Sequence, residues 1–385
     1  MPSVAQTITQ PLESLSLRGQ EDKTAKKAST SLFNGELQVK PLQFSGALNE
    51  SQYPREELTP ALGERFDAGV RLKEILALPK EEGDAFLRDL AILISYRGVV
   101  FFQDQHDLKK EDIGLLALRL GELAGKPEDS TLHIHPTQKL TETGLPLGKI
   151  DAKADAEGRQ ISFQNEGFSS RAYHSDISFE VRPALFTILQ MHTIPKSGGD
   201  GWTGMSRSTL WSSNYNTYDR LTPRYKKFLE GLTALNDADR FRQQAAQNGY
   251  KLRTEPRGSP LNAGGAFQAS HPVIRTNPVT GLRAIYVNPT FTKRINELSE
   301  EESRSVLDYL FRVQIENHED HVKYKWNKYD VAIWNNSVVN HLATFDFGNA
   351  DRQGDRAVVV GETPYFDPAS IGRREWEARK AEVSA

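Results

Sequence analysis

The sequence predicts a mainly β protein of the α+β class, in which two sheets pack as a β-sandwich or jelly roll and helices lie at the periphery. Short apolar runs of strand length recur along the chain, turns rich in Gly, Pro and Asn separate them, and few segments have helical periodicity. No linker divides residues 33–375, so we expect one domain over residues 33–385. Residues 1–32 are rich in Ser, Thr, Gln, Lys and Glu, which predicts a disordered tail.

Individual elements follow from local patterns. The continuous apolar run Gly98–Phe102 predicts a buried strand, and the periodic residues after Asp107 predict a helix for which Asp107 is the N-cap. Ser299 and Glu302 form a capping-box pattern that predicts a second helix ending near His318. Four further apolar runs predict strands: 186–191, 283–287, 330–334 and 357–360.

Composition narrows the function classes. The 385 residues include no cysteine, which excludes disulfide scaffolds, zinc fingers and iron-sulfur proteins, so that any metal must be bound by His, Asp or Glu. The 48 basic and 51 acidic residues give a net charge of -3, so we expect neither a nucleic-acid nor a membrane partner. No apolar run is long enough to cross a bilayer and no signal peptide is recognisable, so we expect a cytoplasmic protein.

Two segments carry candidate metal ligands. In the extended segment YHSDISF, alternation places His174 and Asp176 on the same side. His341 follows the apolar strand DVAIW and could reach the same point across a closed sandwich. Two histidines and one carboxylate form the facial triad of non-haem Fe(II) oxygenases. On spacing alone, however, a histidine hydrogen bonded to a nearby aspartate is the commoner explanation of such a pair.

Other polar residues could bind anions. Arg352 and Arg356 follow His341, and Arg356 enters the apolar run AVVVG, where an unpaired charge is unfavourable. A carboxylate-bearing cosubstrate would neutralise such an arginine, although an ion pair with Asp351, Asp355 or Glu362 is the alternative. His133 and His135 alternate in LHIHP, where the local pattern favours two half-exposed strand histidines.

Taken together, HSDISFE, the GGD loop, TLW, WNNSVVNH and the two downstream arginines resemble the taurine/alpha-ketoglutarate dioxygenase family, in particular its fungal sulfonate dioxygenases. The resemblance extends from about Gly98 to Pro364. It implies a double-stranded β-helix with Fe(II) at its mouth, 2-oxoglutarate as cosubstrate and O2. It also implies possible association into homo-oligomers.

The resemblance assigns roles to seven residues. His174, Asp176 and His341 match the iron ligands, and Arg352 matches the arginine that binds the distal carboxylate of 2-oxoglutarate. Arg356 and His135 match the groups that bind the anionic head of the substrate.

Thr209 matches a threonine that assists 2-oxoglutarate binding, but the chain departs from the family here. Residues 201–208 separate GGD from TLW and are interpreted as an insertion. If this loop reorganises, Thr203 is the alternative to Thr209. Asn336, where relatives often have Asp, is a second departure, at a position that is not a ligand.

The implied reaction hydroxylates an alkyl sulfonate next to sulfur and yields sulfite, an aldehyde, succinate and CO2. An alkylsulfate ester, which would release sulfate, and a non-catalytic jelly-roll binding protein are the alternatives. Some members of the wider superfamily use a purine or an aryloxy acid, but His135 and Arg356 argue against such a substrate.

Overall fold

The computed structural model describes residues 32–137, 146–151, 168–194, 208–344 and 353–384. The predicted disordered tail therefore lies outside the described residues, apart from residue 32, and stays a prediction. Arg352, Thr203 and most of the interpreted insertion also lie outside them.

The described residues form fifteen strands and eight α-helices. The strands are β1 Arg55–Glu57, β2 Glu64–Phe66, β3 Val99–Phe102, β4 Gly148–Asp151, β5 Ala184–Thr193, β6 Ser208–Ser213, β7 Thr233–Asp237, β8 Gln268–Pro272, β9 Ile274–Thr276, β10 Arg283–Ile285, β11 Thr292–Ile295, β12 His321–Lys325, β13 Val331–Asn335, β14 Val339–Ala343 and β15 Gln353–Val360. The helices are α1 Leu72–Ala77, α2 Lys80–Arg97, α3 Lys110–Leu123, α4 Asn214–Asp219, α5 Pro223–Leu229, α6 Asp239–Asn248, α7 Glu300–Glu316 and α8 Arg373–Ser384. The β-rich α+β class is thus confirmed.

Four sheets organise these strands. The largest has the order β1-β2-β3-β13-β5-β15-β4, and a three-stranded sheet has the order β12-β6-β14. A second three-stranded sheet has the order β11-β7-β8, and a two-stranded sheet pairs β10 with β9. Strand β13 in the large sheet leads directly into β14 in the three-stranded sheet, so the chain segment before His341 connects the two.

The predicted strand at residues 98–102 is confirmed as β3, and the structure explains its continuous apolar sequence. Val100 and Phe102 belong to a core that includes α2 and α3 residues. Phe101 belongs to a second core and stacks on Tyr324 of β12 at a centroid distance of 3.9 Å. Because both faces of β3 are buried, neither face requires polar residues.

The predicted strands at 186–191, 283–287, 330–334 and 357–360 overlap β5, β10, β13 and β15. The helix predicted from Ser299 is confirmed as α7, and both hydrogen bonds of its capping box with Glu302 are present. The cap predicted for α3 is wrong. The helix begins at Lys110, and the Asp112 carboxylate, one turn inside it, accepts the backbone N–H of Lys109 at 2.9 Å.

The long helix α2 is not predicted by any sequence pattern. Its buried residues include Phe86, Leu90, Ile92 and Ile94, which surround the helix axis instead of forming one stripe. Such a helix lacks the amphipathic pattern by which a surface helix is recognised. Within the described residues, no helix combines the length and apolarity needed to cross a membrane.

A tight loop around Gly258 positions the LHIHP segment. Gly258 has φ +85°, and a Cβ built there would lie 2.6 Å from the carbonyl oxygen of Leu132 and 2.9 Å from Cα of His133. The Thr131 backbone N–H also donates to the Gly258 carbonyl at 2.7 Å. Only glycine therefore permits this close approach of the two backbones.

We expect Gly258→Ala to lower the free energy of unfolding by more than Gly264→Ala does, measured by urea denaturation. Gly264 lies in the same loop at φ +87°, but nothing lies within 4 Å of the position that a Cβ would occupy there. Both substitutions incur about 1–2 kcal/mol for the left-handed backbone, and only Gly258→Ala adds a steric clash. Equal losses in the two variants would show that the close approach at Gly258 is unimportant.

Candidate metal and anion site

Three side chains from distant parts of the chain meet in the structure. One potential ligand atom from each of His174, Asp176 and His341 lies within 4.8 Å of the others. The Nε2 atoms of His174 and His341 lie 3.8 Å and 3.9 Å from Oδ1 of Asp176. The structure therefore brings together the three residues that the sequence predicts as metal ligands.

Backbone pairing holds the two histidines side by side. The His174 N–H donates to the His341 carbonyl at 3.0 Å, and the His341 N–H donates to the His174 carbonyl at 2.8 Å. This isolated antiparallel bridge attaches the segment before Asp176 to strand β14. The imidazole centroids consequently lie 4.2 Å apart.

The protonation state of the imidazoles suits metal binding. The Nδ1 atom of His174 lies 2.8 Å from the Ala172 carbonyl, which requires a proton on Nδ1 and leaves Nε2 as the basic nitrogen. Burial lowers the pKa of His174. Burial and the neighbouring His174 ring together lower the pKa of His341 to about 3. Both rings are therefore neutral at pH 7, as metal coordination requires.

The carboxylate between them is ionised. Burial alone would raise the pKa of Asp176, but the positive charge of Arg356 and a hydrogen bond from Thr187 hold that pKa below its usual range. The Thr187 hydroxyl donates to Oδ2 at 2.8 Å, and Nη1 of Arg356 lies 3.4 Å from Oδ1. A negative carboxylate and two neutral imidazoles are the donor set that first-row divalent metals such as Fe(II) bind, so the residues present fit the metal.

Asn336 supports Asp176, although its sequence context predicts no such role. It accepts the Asp176 backbone N–H through Oδ1 at 3.1 Å and donates through Nδ2 to the Thr187 hydroxyl at 2.9 Å. Its Oδ1 also accepts from Nε1 of Trp334 at 3.1 Å. The departure from Asp at this position thus places an amide in direct contact with the metal-site aspartate.

The residue after Asp176, Ile177, has φ +48°, a strained conformation for a β-branched side chain.

The two predicted anion-binding residues lie beside this cluster. Arg356 is partly buried on β15, and its charge is shared with Asp176, not with Asp355 or Glu362. Burial, followed by the positive charge of Arg356, lowers the pKa of His135 well below its usual range. A neutral imidazole and a guanidinium are therefore near enough to influence each other electrostatically.

His133 has a different role from His135. It is buried, not half-exposed as the sequence pattern suggested, and its Nε2 lies 3.2 Å from Oε1 of Glu180. Arg257 donates to both oxygens of that carboxylate, at 2.6 Å and 2.8 Å. No local pattern predicts this network, because Glu180 and Arg257 are distant in the chain.

Aromatic rings lie between His174 and His135. The Phe291 centroid lies 6.1 Å from that of His174, and the Phe241 centroid lies 5.1 Å from that of His135. Phe179 contacts both phenylalanines, with centroids 5.2 Å and 5.3 Å away. These rings provide an apolar surface between the candidate metal ligands and the candidate anion-binding residues.

Thr209 lies on β6 at a register compatible with its predicted role. Its neighbour two residues along, Trp211, pairs with His341, and Thr209 itself pairs with Ala343. Thr209 and His341 therefore project from the same face of adjacent strands. The Thr209 hydroxyl accepts Nε1 of Trp326 at 2.9 Å.

Comparison with known proteins agrees with this geometry. The family described as "Taurine catabolism dioxygenase TauD, TfdA family" matches residues 54–360. The alpha-ketoglutarate-dependent dioxygenase esdpJ of Penicillium shearii is 40% identical over 87% of this chain and 96% of its own length. An alpha-ketoglutarate-dependent sulfonate dioxygenase of Saccharomyces cerevisiae is 28% identical over 83% of this chain and 69% of its own.

A solved structure shows the same fold. A taurine dioxygenase from Burkholderia xenovorans superposes with a TM-score of 0.59 at 24% identity, covering 83% of this chain and 92% of the other. Together with the sequence matches, the His-Asp-His cluster accounts for the cofactors. The chain therefore belongs to the TauD/TfdA family and is a 2-oxoglutarate-dependent dioxygenase that uses Fe(II) and O2.

Proposed function

We propose that the enzyme hydroxylates an alkyl sulfonate at the carbon attached to sulfur. The hydroxylated carbon loses hydrogen sulfite and becomes an aldehyde, while 2-oxoglutarate becomes succinate and CO2. One atom of O2 enters succinate and the other enters the substrate, so the atoms balance. We further propose that the seven-stranded sheet and the sheet β12-β6-β14 form a double-stranded β-helix that encloses this site.

The observation that carries the proposal is the pairing of Arg356 with the candidate metal site. Its guanidinium lies 3.4 Å from Asp176 and is close enough to His135 to lower the pKa of that imidazole. A sulfonate has three acceptor oxygens that a guanidinium and an N–H of a neutral imidazole can share. The name of the yeast relative, a sulfonate dioxygenase, gives independent support.

The other site residues have distinct proposed roles. His174, Asp176 and His341 bind Fe(II), which together with 2-oxoglutarate and O2 supplies the oxidising power for C–H hydroxylation. Thr209 and Arg352 hold 2-oxoglutarate by its carboxylates.

The remaining groups orient the substrate. Arg356 and His135 fix the anionic head, and the rings of Phe179, Phe241 and Phe291 exclude water from the alkyl carbon. The protein thus acts by binding and orientation, which place one carbon beside the metal site.

We expect anaerobic addition of Fe(II) and 2-oxoglutarate to produce a visible metal-to-ligand absorption band. His174→Ala should abolish the band and turnover because it removes one of the two imidazole donors. His318→Ala, at an exposed histidine outside the cluster, is the matched control and should behave like the unmodified protein. A band of normal intensity in His174→Ala would contradict the proposed ligand set.

Arg356→Ala should raise KM for the sulfonate by about 10- to 100-fold, because a charge-assisted contact is worth about 1.5–3 kcal/mol. Binding of Fe(II) and 2-oxoglutarate, followed by the visible band, should persist. The exposed Arg294 provides the control variant, Arg294→Ala. An unchanged KM in Arg356→Ala would show that the sulfonate is bound elsewhere.

The substrate class can be tested with a panel of alkyl sulfonates, alkylsulfate esters and carboxylates of matched chain length. We expect sulfite release in equal amount to succinate with at least one sulfonate. Sulfate release from the esters without sulfite from any sulfonate would make the enzyme an alkylsulfate dioxygenase. Substrate-dependent succinate formation with carboxylates alone would reject both sulfur substrates.

A further inference from the structure

We infer that Thr187 and Asn336 are positioning residues that leave one oxygen of Asp176, Oδ1, available to the metal and keep the other, Oδ2, engaged by the protein. This inference rests on the proposed assignment of Asp176 as a metal ligand. It concerns how the carboxylate is oriented, which the ligand set by itself does not determine.

The two carboxylate oxygens have different surroundings. The nearest approaches from His174, His341 and Arg356, at 3.8, 3.9 and 3.4 Å, are all to Oδ1. Oδ2 instead accepts the Thr187 hydroxyl at 2.8 Å. Rotation of the carboxylate toward the imidazoles through both oxygens would break this hydrogen bond. The structure thus favours binding of the metal through Oδ1 alone.

Asn336 determines the direction of the Thr187 hydrogen bond. Its Nδ2 donates to the Thr187 hydroxyl oxygen at 2.9 Å, so the hydroxyl proton is directed to Asp176. The orientation of the amide is itself determined, because its Oδ1 receives two donors, the Asp176 backbone N–H and Nε1 of Trp334. A flipped amide would face both donors with its own N–H groups. One amide therefore orients both the backbone and the side chain of Asp176.

Burial makes this arrangement rigid. Thr187 and Asn336 have no exposed surface, and Asp176 is 4% exposed. Solvent water therefore does not replace a lost partner at Oδ2, and an unpaired buried acceptor is unfavourable. Thr187 also lies on β5 where it pairs with Trp334 of β13 and Val358 of β15, so its backbone is held from both sides.

The inference can be tested by titrating the folded protein with Mn(II) alone and measuring free Mn(II) by EPR. Thr187→Val removes the hydroxyl with little change in shape and should weaken Mn(II) binding by about 10- to 100-fold, the usual effect of losing a partner of a metal ligand. Thr187→Ser retains the hydroxyl and should bind within about threefold of the unmodified protein. Thr217→Val removes a buried hydroxyl of α4 that donates to the carbonyl of Ser213, the last residue of β6, and should leave Mn(II) affinity unchanged.

Variants of Thr187 and His174 separate the positioning role from the metal site itself. If His174→Ala loses Mn(II) binding while Thr187→Val retains full affinity, the positioning role is wrong and the metal site stands. If Thr187→Ser binds as weakly as Thr187→Val, packing and not the hydroxyl is responsible, which also overturns the inference. If His174→Ala binds Mn(II) normally, the proposed metal site itself is wrong.

Discussion

The pair of backbone hydrogen bonds between His174 and His341 is the constraint on which the site depends. Each N–H donates to the carbonyl of the other residue, at 3.0 Å and 2.8 Å, so the two imidazoles are neighbours across a bridge. Asp176 follows His174 by two residues in an extended segment, so its carboxylate projects to the same side and lies 3.8 Å from the His174 imidazole. A long-range backbone contact therefore assembles the cluster. Burial keeps the two imidazoles neutral, whereas Arg356 and Thr187 keep the carboxylate ionised.

The charges of the cluster fit the ligands proposed for it. Asp176 and Arg356 compensate each other in a buried environment where an isolated charge is unfavourable. The two imidazoles add no charge because burial lowers the pKa of each. A divalent cation added to this neutral set leaves two positive charges, which favours a dianionic cosubstrate such as 2-oxoglutarate. The electrostatics thus agree with the cofactors of the family.

The sequence predicted those features that depend on local pattern. Alternation placed His174 and Asp176 together, and the apolar sequence of β3 and the capping box of α7 are local signals that the structure confirms. The helix α2 was not predicted, because from Phe86 to Ser95 its buried residues surround the helix axis and form no amphipathic stripe. The contacts of Thr187 and Asn336 with Asp176 were not predicted for another reason. These contacts arise from the register of β5 against β13, which no single segment encodes.

The His133–Glu180–Arg257 network links the chain segments that carry Asp176 and His135. Glu180 lies four residues after Asp176, and its buried carboxylate accepts hydrogen bonds from His133 and Arg257. His133 is separated from His135 by one residue, so the hydrogen bond between His133 and Glu180 attaches the turn after Asp176 to the segment that carries His135. The connection therefore restrains the imidazole proposed to bind the anionic head of the substrate relative to the carboxylate proposed to bind the metal.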